Sequence, residues 1–247
     1  MSVNEGNGKI TKDNIDFYLK EFAKVFKKLN GSKMPAEIIL IGGASVLVNY
    51  NFRNSTGDID AIIKSSSVVK EAIQIIKNKY NLSNDWLNTD FEKSKSYSPK
   101  LREVSRHYKT FSNILEIRTV DAEYLVAMKL MAGRLYKHDL SDIVGIFWEQ
   151  QKSNNPLKKE NIEKAVNYLY GDINNLPKDS VIFMEKVLLS NNIENMFYQI
   201  VNDEKNAKQI LDDFSINYPN VINRDNINNI LKELVEKDNL DNSQSKK

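Results

Sequence analysis

Asp58 and Asp60 stand one residue apart in the apolar run GDIDAII, residues 57–63. In a strand, residues two apart point to the same face, so this spacing predicts two carboxylates side by side, with Ile59 and Ala61 facing the other way. Such a pair repels itself, and burying it without partners costs several kcal/mol. Solvent relieves the repulsion, and so does a hard divalent cation with oxygen ligands. An exposed strand face or an Asx turn at TGD would also tolerate the acids. Aspartate is depleted in strands, however, so a pair within one apolar run is more informative than either residue alone.

A second feature lies upstream. Gly42 and Gly43 separate the apolar AEIILI from ASVLVNY, a strand followed by a helix start. Glycines at such a junction let the backbone approach a ligand, and the first N–H groups of the helix form a natural phosphate site. Ser45 can add a hydroxyl. Taken alone, the glycine pair favours a tight turn with no ligand. Glu116, in NILEIRTV, is the candidate third acid if its strand lies beside the aspartates. Its competing role is a solvent-facing partner for Arg118 or a lysine. Three acids holding two metal ions would suit in-line displacement at phosphorus.

The elements that must position these residues follow from periodicity. In residues 12–30, Ile15, Tyr18, Leu19, Phe22, Val25 and Phe26 recur at helical spacing, and Gly31 stops the run. Strands are expected in AEIIL, GDIDAII, EVSRHYKTF and NILEIRTV. SVVKEAIQIIKNKY reads as an amphipathic helix capped by Ser66 or Ser67. The stretch NDWLNTDFEKSKSYSPK, residues 84–100, reads as polar and irregular. From Asp121 onward the pattern is helical throughout. The expected organisation is an α/β (α+β) domain over 1–120, an all-α domain over 121–240 and a disordered tail over 241–247. No proline or glycine marks the change near Asp121, so the halves are expected to pack closely.

Composition narrows the class. The chain has 247 residues, 41% hydrophobic and 28% charged, enough for one or two globular domains. The net charge of +2 demands no polyanionic partner. Residues 61–110 nevertheless hold ten Lys/Arg against five Asp/Glu, a local +5, while 202–247 hold seven against nine, or −2. Zero cysteines exclude disulfides and thiolate metal sites, and two histidines, His107 and His138, cannot alone build a zinc centre. His107 and His138 read as surface or capping residues, and the aromatics of GIFWEQ and NYLY as helical core. The polar N-terminus MSVNEGNGKI lacks the regions of a signal peptide, and IILIGGASVLV is too short to span a bilayer. A cytoplasmic protein without a membrane partner is the expectation.

These residues also carry a resemblance. Gly42-Gly43, a short helix, then Thr56-Gly57-Asp58-Ile59-Asp60 resembles the signature of the nucleotidyltransferase superfamily related to DNA polymerase β. The block AMKLMAGRLYKHDLSDI, residues 127–143, is similar to one in bacterial nucleotidyltransferases of the AbiEii abortive-infection type, as is NDWLN at 84–88. The resemblance implies a mixed-sheet nucleotidyltransferase core that moves a nucleoside monophosphate from an NTP to an acceptor, with Mg²⁺ or Mn²⁺. It implies that Asp58 and Asp60 bind the metal with Glu116 as third acid. Gly42, Gly43, Ser45 and Thr56 would hold the nucleotide, and Lys129, Arg134 and Lys137 would meet its phosphates. Asp139 and Asp142 would orient those cations, and Arg53 sits where relatives often carry an arginine. The acceptor implied is tRNA, another RNA or a protein, in a toxin–antitoxin or phage-defence setting with a cognate antitoxin as partner. A small-molecule acceptor, as in antibiotic-modifying relatives, is the alternative. A non-catalytic nucleotide-binding or partner-binding module is the reading from another class. Many superfamily members have Gly-Ser where this chain has Gly42-Gly43, so one hydroxyl is missing unless Ser45 replaces it.

Overall fold

The structure, a computed structural model, describes residues 9–31, 34–63, 67–223 and 226–244. The expectations for the first eight residues, for Ser66 as a cap and for 245–247 lie outside those residues. In chain order, β1 (Ile10–Thr11) precedes α1 (Ile15–Asn30), β2 (Ala36–Leu40), α2 (Gly42–Asn49), β3 (Ser55–Thr56), β4 (Ile59–Ile63) and α3 (Ser67–Tyr80). Then come β5 (Leu87–Asn88), β6 (Ser105–Phe111) and β7 (Leu115–Val120), with two 3₁₀ turns between β5 and β6. The helices α4 (Ala122–Ala132), α5 (Asp139–Lys152), α6 (Lys159–Tyr170), α7 (Lys178–Leu188), α8 (Ile193–Asn217) and α9 (Ile227–Gln244) complete the chain.

Five strands form one mixed sheet in the order β5-β4-β2-β7-β6. The central β2 runs antiparallel to β4 and parallel to β7. Alternation sorts its residues between two cores. Ile38 and Leu40, with Ile59, Ala61, Ile63, Leu115 and Ile117, face α1 and α3. Ile39 and Ile41, with Ile62 and Val120, face the helical half. Asp60 alternates with Ile59 and Ala61 and therefore lies on the face of Ile62, at the end where β2 gives way to α2. Asp58 immediately precedes β4.

The amphipathic α1 forms as its spacing predicts. Ile15, Tyr18, Leu19, Phe22, Ala23 and Phe26 are buried, and Gly31 ends the helix at φ 61° with its N–H donated to the Lys27 carbonyl. By contrast, α4 has no polar side: Ala122 and every residue from Leu125 to Leu130 are buried. It is the inner helix against the sheet, touched by α2, α5, α6 and α7. One apolar cluster accordingly runs across residue 121, joining Ile39, Ile41 and Val46 to Val126, Leu130, Ile143, Val166 and Met184. The two halves share a core.

Three local features depart from the sequence expectations. β1 and β3 pair antiparallel, Ile10 opposite Thr56 and Thr11 opposite Ser55, in segments too short to show a period. The irregular stretch after α3 contains β5, which lies parallel to β4 with Trp86 fully buried beside it. Helix α9 runs to Gln244, into the segment from 241 expected to be disordered. No helix among the described residues is long and apolar enough to cross a membrane.

Candidate active site

The glycine pair sits where β2 turns into α2, pressed against β4. The Ile41 N–H donates to the Asp60 carbonyl at 2.9 Å, which brings the end of β2 alongside the aspartate. Gly42 adopts φ +56°, a conformation that a side chain strains, and a Cβ there would lie 3.3 Å from Asp60 Oδ2. At Gly43 a Cβ would lie 2.6 Å from Thr56 Oγ1 and 2.8 Å from Arg53 Nη2. No serine fits at 43 without moving both groups. The departure from Gly-Ser thus has a steric cause: the hydroxyl of Thr56 and the guanidinium of Arg53 occupy that space. Thr56 is held there by the β1–β3 pairing, and Arg53 Nε donates to the Ser55 carbonyl at 3.1 Å.

Behind this turn lies a chain of buried charges. Arg53 Nη1 donates to both oxygens of Asp142, at 2.7 and 2.6 Å. Lys129 Nζ meets Asp142 Oδ2 at 2.7 Å and Asp139 Oδ1 at 2.9 Å. Arg134 Nε then donates to Asp139 Oδ2 at 2.6 Å, and its Nη2 to Oδ1 at 3.1 Å. Asp139, Asp142 and Lys129 are 0%, 2% and 6% exposed, so none survives as an ion without the others. Burial alone would drive the Lys129 ammonium down, but Asp139 and Asp142 outweigh it and hold its pKa above the ordinary lysine value. Burial likewise opposes ionisation of Asp139, yet Lys129 and Arg134 keep its carboxyl well below the usual carboxylate range. The N-termini of α5 and the end of α4 are locked together by this network, with Arg53 tying both to the loop after α2.

Asp60 has the opposite electrostatics. Burial first, and then the neighbouring Asp58 charge, push its carboxyl above the ordinary value, with Lys137, Arg134 and Lys129 pulling it back. Lys137 is exposed as a residue, but its ammonium is crowded. Partial burial and the Arg134 charge push that amine down, against Asp139, Asp58 and Asp60. Asp58 accepts a hydrogen bond from Asn88 Nδ2 at 3.3 Å, so the short β5 reaches the acidic pair from the sheet's edge.

The structure therefore gathers Gly42, Gly43, Arg53, Thr56, Asp58, Asp60, Arg134 and Lys137 at one end of the sheet. It does not gather all the expected residues. Ser45 is fully buried and its Oγ lies 2.5 Å from Thr119 Oγ1, so its hydroxyl serves the helix–sheet contact and not the turn. Lys129 belongs to the network, but two carboxylates engage its ammonium, and its role there is to hold Asp139 and Asp142. Glu116 is displaced furthest. It lies opposite Glu37 on β2, four residues before Ile41, whose N–H binds Asp60. At about 3.3 Å per residue, that puts it about 13 Å along the strand from the level of the aspartates. Its carboxylate instead accepts from Arg118 Nη1 at 2.7 Å, the competing role weighed for it. Among the described residues no three His, Asp or Glu side chains converge as a metal-holding group.

Sequence reasoning missed Asn88, Gly145 and Glu204. The first lies in the NDWLN segment but shows its contact only once β5 is placed. A glycine inside a helical pattern signals close approach, and a Cβ on Gly145 of α5 would fall 2.6 Å from the Phe52 ring. Glu204 carries no sequence signal at all. It is a buried acid from α8 whose Oε1 accepts the Leu140 and Ser141 N–H groups at 3.1 and 3.0 Å, completing the first turn of α5.

Over residues 18–171, more than half of its length, the chain matches the family described as nucleotidyltransferases of unknown function (DUF6036). No curated protein and no solved structure matches it.

Proposed function

The chain belongs to that nucleotidyltransferase family, and we propose that it moves a nucleoside monophosphate from an NTP to an acceptor hydroxyl, releasing pyrophosphate. The observation that carries this reading is the approach of the Asp60 carboxylate to Gly42 at the start of α2. This sets a self-repelling acidic pair beside the first N–H groups of α2, within the field of Arg134 and Lys137.

Asp58 and Asp60 would hold a divalent ion, Mg²⁺ or Mn²⁺. The donor set fits one: Mg²⁺ is commonly bound by one or two carboxylates with substrate phosphates completing its shell. A half-buried carboxylate whose charge is opposed by its neighbour also has a reason to accept a cation. When bound, such an ion neutralises phosphate charge. The remaining work falls to the chain. The α2 N-terminus, with Gly42 and Gly43 free of side chains, receives phosphate oxygens. Thr56 Oγ1 and Arg53 Nη2 supply donors where relatives place a serine. Arg134 and Lys137 offset charge that develops on the leaving pyrophosphate, and Asp139 and Asp142 fix the geometry of Arg134 and Arg53. Glu116, engaged with Arg118, has no part in this arrangement.

The AbiEii-type setting, with an RNA or protein acceptor and an antitoxin partner, rests on the block 127–143. The structure supplies a reason for that block: its Lys129, Arg134, Asp139 and Asp142 are the buried ionic network. The test is incubation with each α-labelled NTP, Mg²⁺ or Mn²⁺ and cellular RNA, beside Asp58→Asn/Asp60→Asn. Label moving to RNA or protein with the wild type alone supports transfer and names the acceptor. No transfer, together with no metal-dependent NTP binding, sinks the reading.

A further inference from the structure

A cleft of about 260 Å³ is lined in part by Arg53. Its walls are aromatic. Phe52 comes from the loop after α2, and Phe197 and Tyr198 from α8. The Phe52 and Phe197 rings meet edge-on with centroids 5.5 Å apart, and Tyr198 stands 5.5 Å from Phe197 in the same manner. Phe52 and Phe197 have a core role as well, but Tyr198 is 58% exposed and its ring buries little. Asn54 and Ser55 line one rim and His138 the other.

We propose that this cleft is a nucleobase-binding subsite of the transferase, and this rests on the nucleotidyl-transfer reading above. Three features point to a planar heterocycle. The lining holds three aromatic rings, of which Tyr198 is exposed and free to take a stacked base. The rim groups are amide, hydroxyl and imidazole, suited to the edge of a base, while the guanidinium and carboxylate in the lining, Arg53 and Asp142, satisfy each other. The volume is below that of an ordinary ligand site, enough for a ring but not for a whole nucleotide. Continuity is the further argument: Arg53 forms a wall of the cleft and also presents Nη2 over Gly43. A base here has its sugar and phosphate directed past Arg53 to the turn.

The cleft is shaped by a part of the chain beyond the family match. Glu204 of α8 binds the first turn of α5, and its Oε2 lies 3.5 Å from His138 Nδ1, so α8 sets both the width of the slot and the place of the imidazole. Two sources can supply the base: the NTP itself, or the terminal nucleotide of a single-stranded RNA acceptor.

Trp148 is the reporter, with its ring 5.4 Å from Phe197 and 6.0 Å from Tyr198, whereas Trp86 is fully buried in the other core. Tryptophan fluorescence is followed while each NTP, inorganic tripolyphosphate or a short single-stranded RNA is added. The proteins are wild type, Tyr198→Ala, Tyr198→Phe and Asp58→Asn/Asp60→Asn. Base-bearing ligands should perturb Trp148 and tripolyphosphate should not. Tyr198→Ala should weaken base binding about 10-fold, the loss of one stack, and Tyr198→Phe should restore it. Saturation by NTPs assigns the slot to the donor; saturation by RNA without NTP competition assigns it to the acceptor. In the double asparagine variant NTP affinity should fall with the loss of the metal-binding acids while the Trp148 change at saturation stays the same, which separates this subsite from transfer itself. If no nucleotide or RNA perturbs Trp148, or if Tyr198→Ala binds as tightly as wild type, the subsite is wrong.

Discussion

Arg53 Nη1 reaches both carboxylate oxygens of Asp142 across 89 residues of sequence, at 2.7 and 2.6 Å. This one contact fastens the loop after α2 to the first turn of α5. Asp142 is also half of the compensation for buried Lys129. Asp142→Asn keeps the shape but removes the charge, leaving a buried ammonium and guanidinium under-compensated. The expected loss is about 3–5 kcal/mol of unfolding free energy, read from the urea midpoint at unchanged slope. Nucleotide affinity should fall with it, because Arg53 loses its hold. A variant as stable as wild type would mean that the network is solvated and not structural.

Gly43 and Gly57 flank the same site but differ in surroundings. A Cβ on Gly43 meets Thr56 Oγ1 and Arg53 Nη2 at under 3 Å, whereas one on Gly57 meets nothing within 4 Å. Arg53 cannot swing aside cheaply while Asp142 holds it. Gly43→Ala should therefore lose about 1–3 kcal/mol to overpacking, partly offset by up to about 1 kcal/mol of helix propensity. It should also weaken NTP binding. Gly57→Ala should stay within about 0.5 kcal/mol of wild type. Equal behaviour of the two variants in denaturation and NTP titration would dismiss the cradle at Gly43.

Asp60 and Asp139 should respond to pH with opposite signs. Asp60 has a folded-state pKa raised above 3.8, so the folded protein binds its proton more tightly than the unfolded chain does. Its contribution worsens as pH climbs through that raised value and is fully unfavourable at neutral pH. Asp139 has a depressed folded-state pKa, so it stabilises above 3.8 and that stability is lost as pH falls. In metal-free buffer, Asp60→Asn should raise Tm at pH 7 and leave it unchanged near pH 3.5. Asp139→Asn should lower Tm at pH 7. A lower Tm for Asp60→Asn at pH 7 would show that its carboxylate is stabilised, not strained, in the folded state.

The strands that carry the site and the helices that flank it were legible because their periods are strong. Alternation in β4 and β7 and the 3.6-residue stripe of α1 each match the buried face observed. The pairing of β2 with β7 was not legible, and it decides where Glu116 falls: alternation fixes the face of a strand residue but not its level along a neighbour. Ser45 failed for a similar reason, since helix position 45 points its hydroxyl at Thr119 of β7, a partner 74 residues away. Lys129 was expected at the phosphates, but α4 is buried among other elements, and the ammonium meets carboxylates of α5 instead. Arg53 was placed near the site only by resemblance, and the geometry gives it a physical role that spacing could not. Gly145 went unread although a glycine within a helix can mark close approach, and nothing in the sequence names Phe52 as the ring that fills the gap.

Glu116→Gln separates register from resemblance. The parallel pairing sets Glu116 opposite Glu37, and the carboxylate is bound to Arg118 at a half-exposed position. Pairs of that kind contribute about 0–1 kcal/mol, so the variant should unfold within that margin of wild type. NTP binding and nucleotidyl transfer should be unchanged, in contrast to Asp60→Asn, because about 13 Å of strand separates Glu116 from the acidic pair and no side chain of its length bridges it. The comparison is made on transfer rate and on metal-dependent NTP binding in the same buffer. A fall in transfer of 100-fold or more in Glu116→Gln, with stability intact, would mean that β7 reaches the site by a different register, and that Glu116 is the third acid after all.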